Sequence, residues 1–278
     1  MPARATRRLV LVLGLAALSD GCRRGEDATP PASAAAPTAP QEATPASAAG
    51  APAPTPAADP ERPGDPALAQ ISVHPGINDH YYDNPQPRYW RRRLERDGRE
   101  VHDRRPAILK ALALKPGMRV ADVGAGTGLF TLDFARAVGP TGTVYAVDLM
   151  PTFLEHIADK AAKAGLSNVT TIAATASASN LPPGSVDLVY MSDVYHHIEN
   201  PPAYLASLRR ALAPAGELVL IDFKRIPGVS SAWLLDHVRA GKEEVISELE
   251  GAGFEVVAEP PILEENYFLR LRLRADAE

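Results

Sequence analysis

Val120-Ala121-Asp122-Val123-Gly124-Ala125-Gly126-Thr127-Gly128 reads as a strand that runs into a glycine-rich bend. Met118 to Val123 is a short, mostly apolar run, the pattern of a strand covered on both faces. Gly124, Gly126 and Gly128 remove side chains where the backbone must turn sharply and a ligand must come close. Thr127 is placed to cap the helix that follows, in which Phe130, Phe134 and Val138 recur at helical spacing. The start of that helix offers unpaired N–H groups and a positive dipole end to whatever sits in the bend.

A second strand, Thr143-Val144-Tyr145-Ala146-Val147-Asp148, ends in a carboxylate twenty residues past Gly128. In a doubly wound sheet that acid stands beside the glycine bend and accepts both ribose hydroxyls of a nucleoside. An adenosine-containing ligand is therefore expected. A dinucleotide fingerprint would need its third glycine at position 129, where Leu129 stands, and this disfavours a nicotinamide oxidoreductase.

Further out, strands and helices alternate. Helices are expected over 105–114, 153–164, 202–212 and 242–252, and strands over 168–173, 186–191, 217–223, 254–258 and 267–273. The last two strands are close enough to pair as a hairpin, so one is antiparallel. The alternation predicts an α/β fold.

The Gly124-x-Gly126-x-Gly128 bend, with Asp122 in the strand before it, resembles motif I of class I S-adenosylmethionine (SAM)-dependent methyltransferases. The resemblance continues through Asp148, through Leu181-Pro182-Pro183-Gly184-Ser185-Val186-Asp187-Leu188-Val189, and through Gly216-Glu217-Leu218-Val219-Leu220-Ile221-Asp222. It covers about residues 108–274 and looks closest to the type-11 or quinone-biosynthesis-like group. It implies a Rossmann-like, seven-stranded, mostly parallel sheet of order 3-2-1-4-5-7-6, with one antiparallel strand and helices on both faces.

The resemblance also implies SAM as cofactor. The backbone of Gly124, Ala125, Gly126 and Gly128 would contact its amino-acid portion, with Asp122 supporting the bend or the ammonium. Asp148 would hold the ribose, and Leu149 and Met150 would pack on the adenine. Relatives often carry an acid near position 177 for the adenine amino group, whereas Thr175–Asn180 holds none. Ser177 offers one neutral bond there, worth about 1 kcal/mol against about 1.5–3 kcal/mol for a charged acceptor. Ser192-Asp193-Val194-Tyr195-His196-His197 follows the fourth strand, where the family places substrate-facing residues. Ser192 and Asp193 are assigned to the cofactor edge; His196, His197 and Tyr195 are the candidates for acid–base work on the acceptor. Adjacent residues on a turn diverge, so at most one histidine is expected to face the methyl group. His196, His197, His237 and Asp193 follow no metal-ligand spacing, and no metal is expected.

The chain has 278 residues, a net charge of −5 and one cysteine. The charge offers no basic field for nucleic acid, and a lone cysteine excludes an internal disulfide framework. Residues 1–22 read as an export signal: Arg4, Arg7 and Arg8, an apolar run from Leu9 to Leu18, then Cys22 where a bacterial lipoprotein is cleaved and acylated. Residues 23–68, rich in Ala and Pro, cannot offset their ordering entropy by burial and are expected to be a disordered linker. Residues 69–105 carry Tyr81, Tyr82, Tyr89 and Trp90 ahead of an arginine run. Two readings stand: a lid over the site, as the resemblance implies, or a helix on the sheet edge whose arginines pair with Glu95, Glu100 and Asp103. Residues 106–278 make up the methyltransferase-like domain.

The expected function is transfer of a methyl group from SAM to a small-molecule or lipid-like acceptor. The expected location is the cell envelope, as a periplasm-facing lipoprotein that meets the membrane only through Cys22, with the cytoplasm as the alternative. The rival function is a non-catalytic nucleoside- or ligand-binding lipoprotein that retains the fold, motivated by the export signal and the missing adenine acid.

Overall fold

A computed structural model describes residues 72–275. The expected export signal, the Ala/Pro-rich linker and residues 69–71 of the N-terminal segment lie outside the described residues. Four short helices come first: α1 (Asp79–Asp83), α2 (Pro87–Leu94), α3 (Glu100–Asp103) and α4 (Arg105–Leu112). The alternating part follows as β1 (Arg119–Val123), α5 (Thr131–Val138), β2 (Thr143–Asp148), α6 (Pro151–Lys163), β3 (Val169–Ala173) and β4 (Val186–Ser192). A single 3₁₀ turn (Tyr195–His197) leads to α7 (Pro201–Ala211) and β5 (Leu212–Phe223). Then come α8 (Ala232–His237), α9 (Lys242–Gly251), β6 (Phe254–Ala258) and β7 (Asn266–Leu273).

The strands form one sheet of order β3-β2-β1-β4-β5-β7-β6, as the resemblance implied. β1 lies at its heart, parallel to β2 and β4. β7 runs antiparallel to both β5 and β6, so the terminal hairpin supplies the one reversed strand.

Side chains alternate across each strand, and this sorts the apolar residues into two layers. Ala121, Val123, Val189, Met191, Leu218 and Leu220 face one layer, closed by Leu205 and Leu208 of α7 and Val245 and Leu249 of α9. Val120, Val144, Leu188, Tyr190, Val219 and Ile221 face the other, closed by Ile108 and Leu112 of α4 and Phe134 and Val138 of α5. Pro87, Pro151 and Pro201 each open a helix, where a missing N–H costs nothing. Burial of β1 on both sides holds its C-terminal end, and hence the glycine bend, in one place.

Candidate active site

Gly124, Gly126 and Gly128 all lie in the left-handed region, at φ +68°, +54° and +74°. A Cβ at Gly124 would stand 2.3 Å from Val194 Cγ2, and one at Gly128 would stand 2.9 Å from Ile157 Cγ1. Backbone conformation and close packing therefore both demand glycine at these two positions. The amides of Gly124 and Ala125 donate to the Val147 carbonyl at 2.8 and 3.1 Å, which pins the bend to the end of β2.

Asp148 lies at that end, buried, and joins the two halves of the site. Its Oδ2 accepts from the Gly126 amide at 2.7 Å and its Oδ1 from the Met150 amide at 2.9 Å. Burial raises its pKa to about 6. Asp122, buried beneath the bend, accepts from Thr131 Oγ1 at 2.5 Å, and burial pushes it up to about 7. A cavity opens over this floor, walled by Gly124, Ala125, Gly126, Asp148, Leu149 and Met150 and by Asp122, Ser192 and Asp193. Most of the expected cofactor residues thus meet around one space. Its features suit SAM: a bend bare of side chains, a carboxylate with lone pairs to spare, and apolar side chains beside it.

Four expectations are corrected. Ser177 is not in the cavity wall, where Thr175 and Ala176 stand instead, because its loop folds back on Thr175. Gly128 also lies outside the wall; its task is to let Ile157 of α6 come close. Thr127 does not cap a helix, since α5 starts only at Thr131, and its hydroxyl donates to Glu95 Oε1 at 2.7 Å. Tyr195 points into the core, away from both cavities, and donates to Glu248 Oε2 at 2.7 Å, while Arg239 grips both oxygens of the same carboxylate.

The N-terminal segment covers the cavity. Tyr81, Tyr82, Leu94 and Arg99 complete its wall, and Leu94 Cδ1 lies 3.5 Å from where a Gly126 Cβ would be. The arginine pairs expected of this segment do not form. Glu95 takes Thr127 and Lys160, Asp103 takes the Gly98 amide and His102, and Glu100 accepts from the amides of Glu264, Glu265 and Asn266. Thr152 Oγ1 adds a bond to the Pro85 carbonyl at 2.6 Å.

A second, larger cleft of about 940 Å³ lies on the other side of the turn after β4, and Tyr81, Leu94, Arg99, Asp193 and His197 belong to the walls of both. Asp193 adopts φ +53°, a conformation that costs a non-glycine residue about 1–3 kcal/mol. Its carboxylate is held by Arg99 and Asn266, each at 2.6 Å. His196 is buried, with Nδ1 2.8 Å from Asp222 Oδ1 and its amide donating to Asp222 Oδ2 at 3.1 Å. His197 Nδ1 is buried with no hydrogen-bond partner, an omission that ordinarily costs about 1–3 kcal/mol. Burial, then the neighbouring His196 and His237, holds the His197 pKa well below the usual range. Burial likewise takes His237 down to about 4.

Three members of this site were missed in the sequence: Asp222, Arg99 and Asn266. Asp222 gave a faint signal, an acid inside an apolar strand, and Arg99 gave none.

Residues 121–220 match the family model described as a methyltransferase domain. The ubiquinone/menaquinone biosynthesis C-methyltransferase UbiE of Shewanella pealeana is 31% identical over 118 residues, 42% of this chain and 47% of that protein. The UbiE of Pasteurella multocida is 32% identical over 113 residues, 40% of this chain and 42% of that protein. The chain spans about half the length of the curated relatives it matches. Among solved structures, a SAM-dependent methyltransferase from Aquifex aeolicus aligns with TM-score 0.59 and 28% identity, over 67% of this chain and 97% of that one. The [4+2]-cyclase SpnF aligns with TM-score 0.51 and 24% identity, over 60% of this chain and 63% of its own, a likeness of fold alone.

Proposed function

We propose that the protein, whose domain is of the SAM-dependent methyltransferase kind with SAM as its cofactor, methylates a small-molecule acceptor seated in the histidine-lined cleft. The observation that carries this reading is the shared wall: His197 and Asp193 border both the cavity at the glycine bend and the larger cleft. A donor in one and an acceptor in the other would meet across them.

SAM supplies an electrophilic methyl group on a positively charged sulfur. The chain's own residues do the rest. Asp148 would accept the ribose hydroxyls, the Gly124–Gly126 backbone would lie against the amino-acid portion, and Leu149 and Met150 would flank the adenine. Tyr81, Leu94 and Arg99, which line the same cavity, would help keep water from the methyl group. With the Asp222 carboxylate accepting, His196 Nδ1 carries the ring proton and Nε2 presents its lone pair. His196, His197 and His237 then face the acceptor from the wall of the larger cleft.

Labelled SAM incubated with the full chain and a panel of small phenols, quinols and amines tests this by mass spectrometry of the products. A methylated product that disappears with His196→Ala is expected. Absence of SAM binding at millimolar ligand would overturn the reading in favour of a ligand-binding protein, a rival supported by the lack of an acid in Thr175–Asn180.

The location is part of the proposal. Residues 1–22, with Cys22 four residues past the apolar run, support export and a lipid anchor. Cys22→Ala should then move the protein from the membrane fraction to the soluble one, and an unchanged fractionation would remove the anchor.

A further inference from the structure

We propose that His196, His197 and His237 together hold a divalent transition-metal ion, with one coordination position open to the acceptor cleft. One ring nitrogen from each lies within 4.8 Å of the other two. Imidazoles bound tetrahedrally at about 2.0–2.1 Å from an ion stand about 3.3 Å apart, so rotamer adjustments of about an ångström complete the set.

The surroundings of each ring fit a ligand's role. His196 has its Nδ1 committed to Asp222 Oδ1 at 2.8 Å, which aims Nε2 outward; carboxylate behind imidazole is the usual support of a metal-bound histidine. His197 keeps a buried Nδ1 that no protein group satisfies. His237 ends α8, and the Trp233 ring stacks on it at 4.7 Å and 20°, which fixes its plane. His80 stands outside the group of three, its ring centre 5.8 Å from His197 and 6.1 Å from His237. All three ligand rings border the larger cleft, so a position left open by the protein faces the space where the acceptor sits. A set of three neutral imidazoles selects zinc, copper, nickel or ferrous iron over magnesium or calcium.

The consequence for the acceptor rests on the methyltransferase reading above. A metal with an open position in that cleft favours an acceptor with a ligating oxygen, such as a phenol, catechol or enol. The oxygen replaces water on the ion and its proton passes to solvent. Its lone pair then forms the new bond to the methyl carbon as the carbon–sulfur bond breaks, the electrons of that bond remaining on sulfur. The ion's oxidation state does not change.

The test uses untagged full-length protein stripped with dipicolinate and then titrated with zinc sulfate or cobalt chloride. One equivalent of zinc is expected, with visible cobalt bands of a low-coordinate nitrogen site. His237→Ala should abolish stoichiometric binding, and Asp222→Asn should weaken it about 10–100-fold. Substoichiometric zinc in the wild-type protein, or zinc binding that survives His237→Ala unchanged, would overturn the proposal. SAM titration of the same samples separates the two readings: zinc without SAM binding keeps the metal site and removes the methyltransferase.

Discussion

Arg99, directly before α3, reaches Asp193 just past the end of β4 with its Nη2 2.6 Å from Oδ2. The pair is nearly enclosed, with 16% and 5% of the two side chains exposed. It ties the covering segment to the one strained, non-glycine residue in the wall common to both cavities.

Arg99→Ala leaves a buried carboxylate with Asn266 alone. Removing one partner of a buried pair costs about 3–5 kcal/mol. A lower melting temperature is expected, together with weaker SAM binding and faster proteolysis within residues 79–103. Arg99→Lys should recover little, because one ammonium cannot reproduce the planar fork. A melting curve superimposable on wild type would show that the pair is incidental.

Asp148→Asn should weaken SAM binding at least tenfold, since bonds to a charged acceptor are worth about 1.5–3 kcal/mol each. Calorimetric titration reads the change directly. Equal affinities would displace the ribose from this carboxylate.

Affinity for SAM should also depend on pH through Asp148. Burial raises its pKa to about 6, so it is ionised above that value and protonated below it. A neutral acid accepts ribose hydroxyls poorly, so affinity should fall as the pH drops from 7 to 5. Asp148→Asn should lack this component, and the difference between the two titration series is the quantity to measure.

Gly124→Ala and Gly165→Ala share a φ of +68° but not their surroundings. At Gly165 nothing lies within 4 Å of the new methyl, so only the conformational cost of about 1–2 kcal/mol is due. At Gly124 the methyl strikes Val194, and urea denaturation should show a loss larger by at least about 1 kcal/mol.

Tyr195→Phe removes a hydroxyl from Glu248, which keeps both of its bonds to Arg239. A stability loss of about 1 kcal/mol with unchanged turnover is expected. Product analysis that shows a large fall in turnover would return Tyr195 to the chemistry.

The chain's own pattern determined the sheet, its order by way of family resemblance, and the Gly124–Asp148 cradle, because these rest on short-range signals. A backbone that needs φ above zero asks for glycine locally, a two-residue alternation shows which strands are covered, and Asp148 ends its strand one crossover from the bend. Tertiary structure alone decided which way Ser177 and Tyr195 face, where the Thr127 hydroxyl goes, and that Glu100, Glu95 and Arg99 clamp the cover. It also brought His196, His197 and His237 around one point with Asp222 behind them. Most of these meetings join segments 26 to 166 residues apart, and no local rule of periodicity or capping encodes a distance through space.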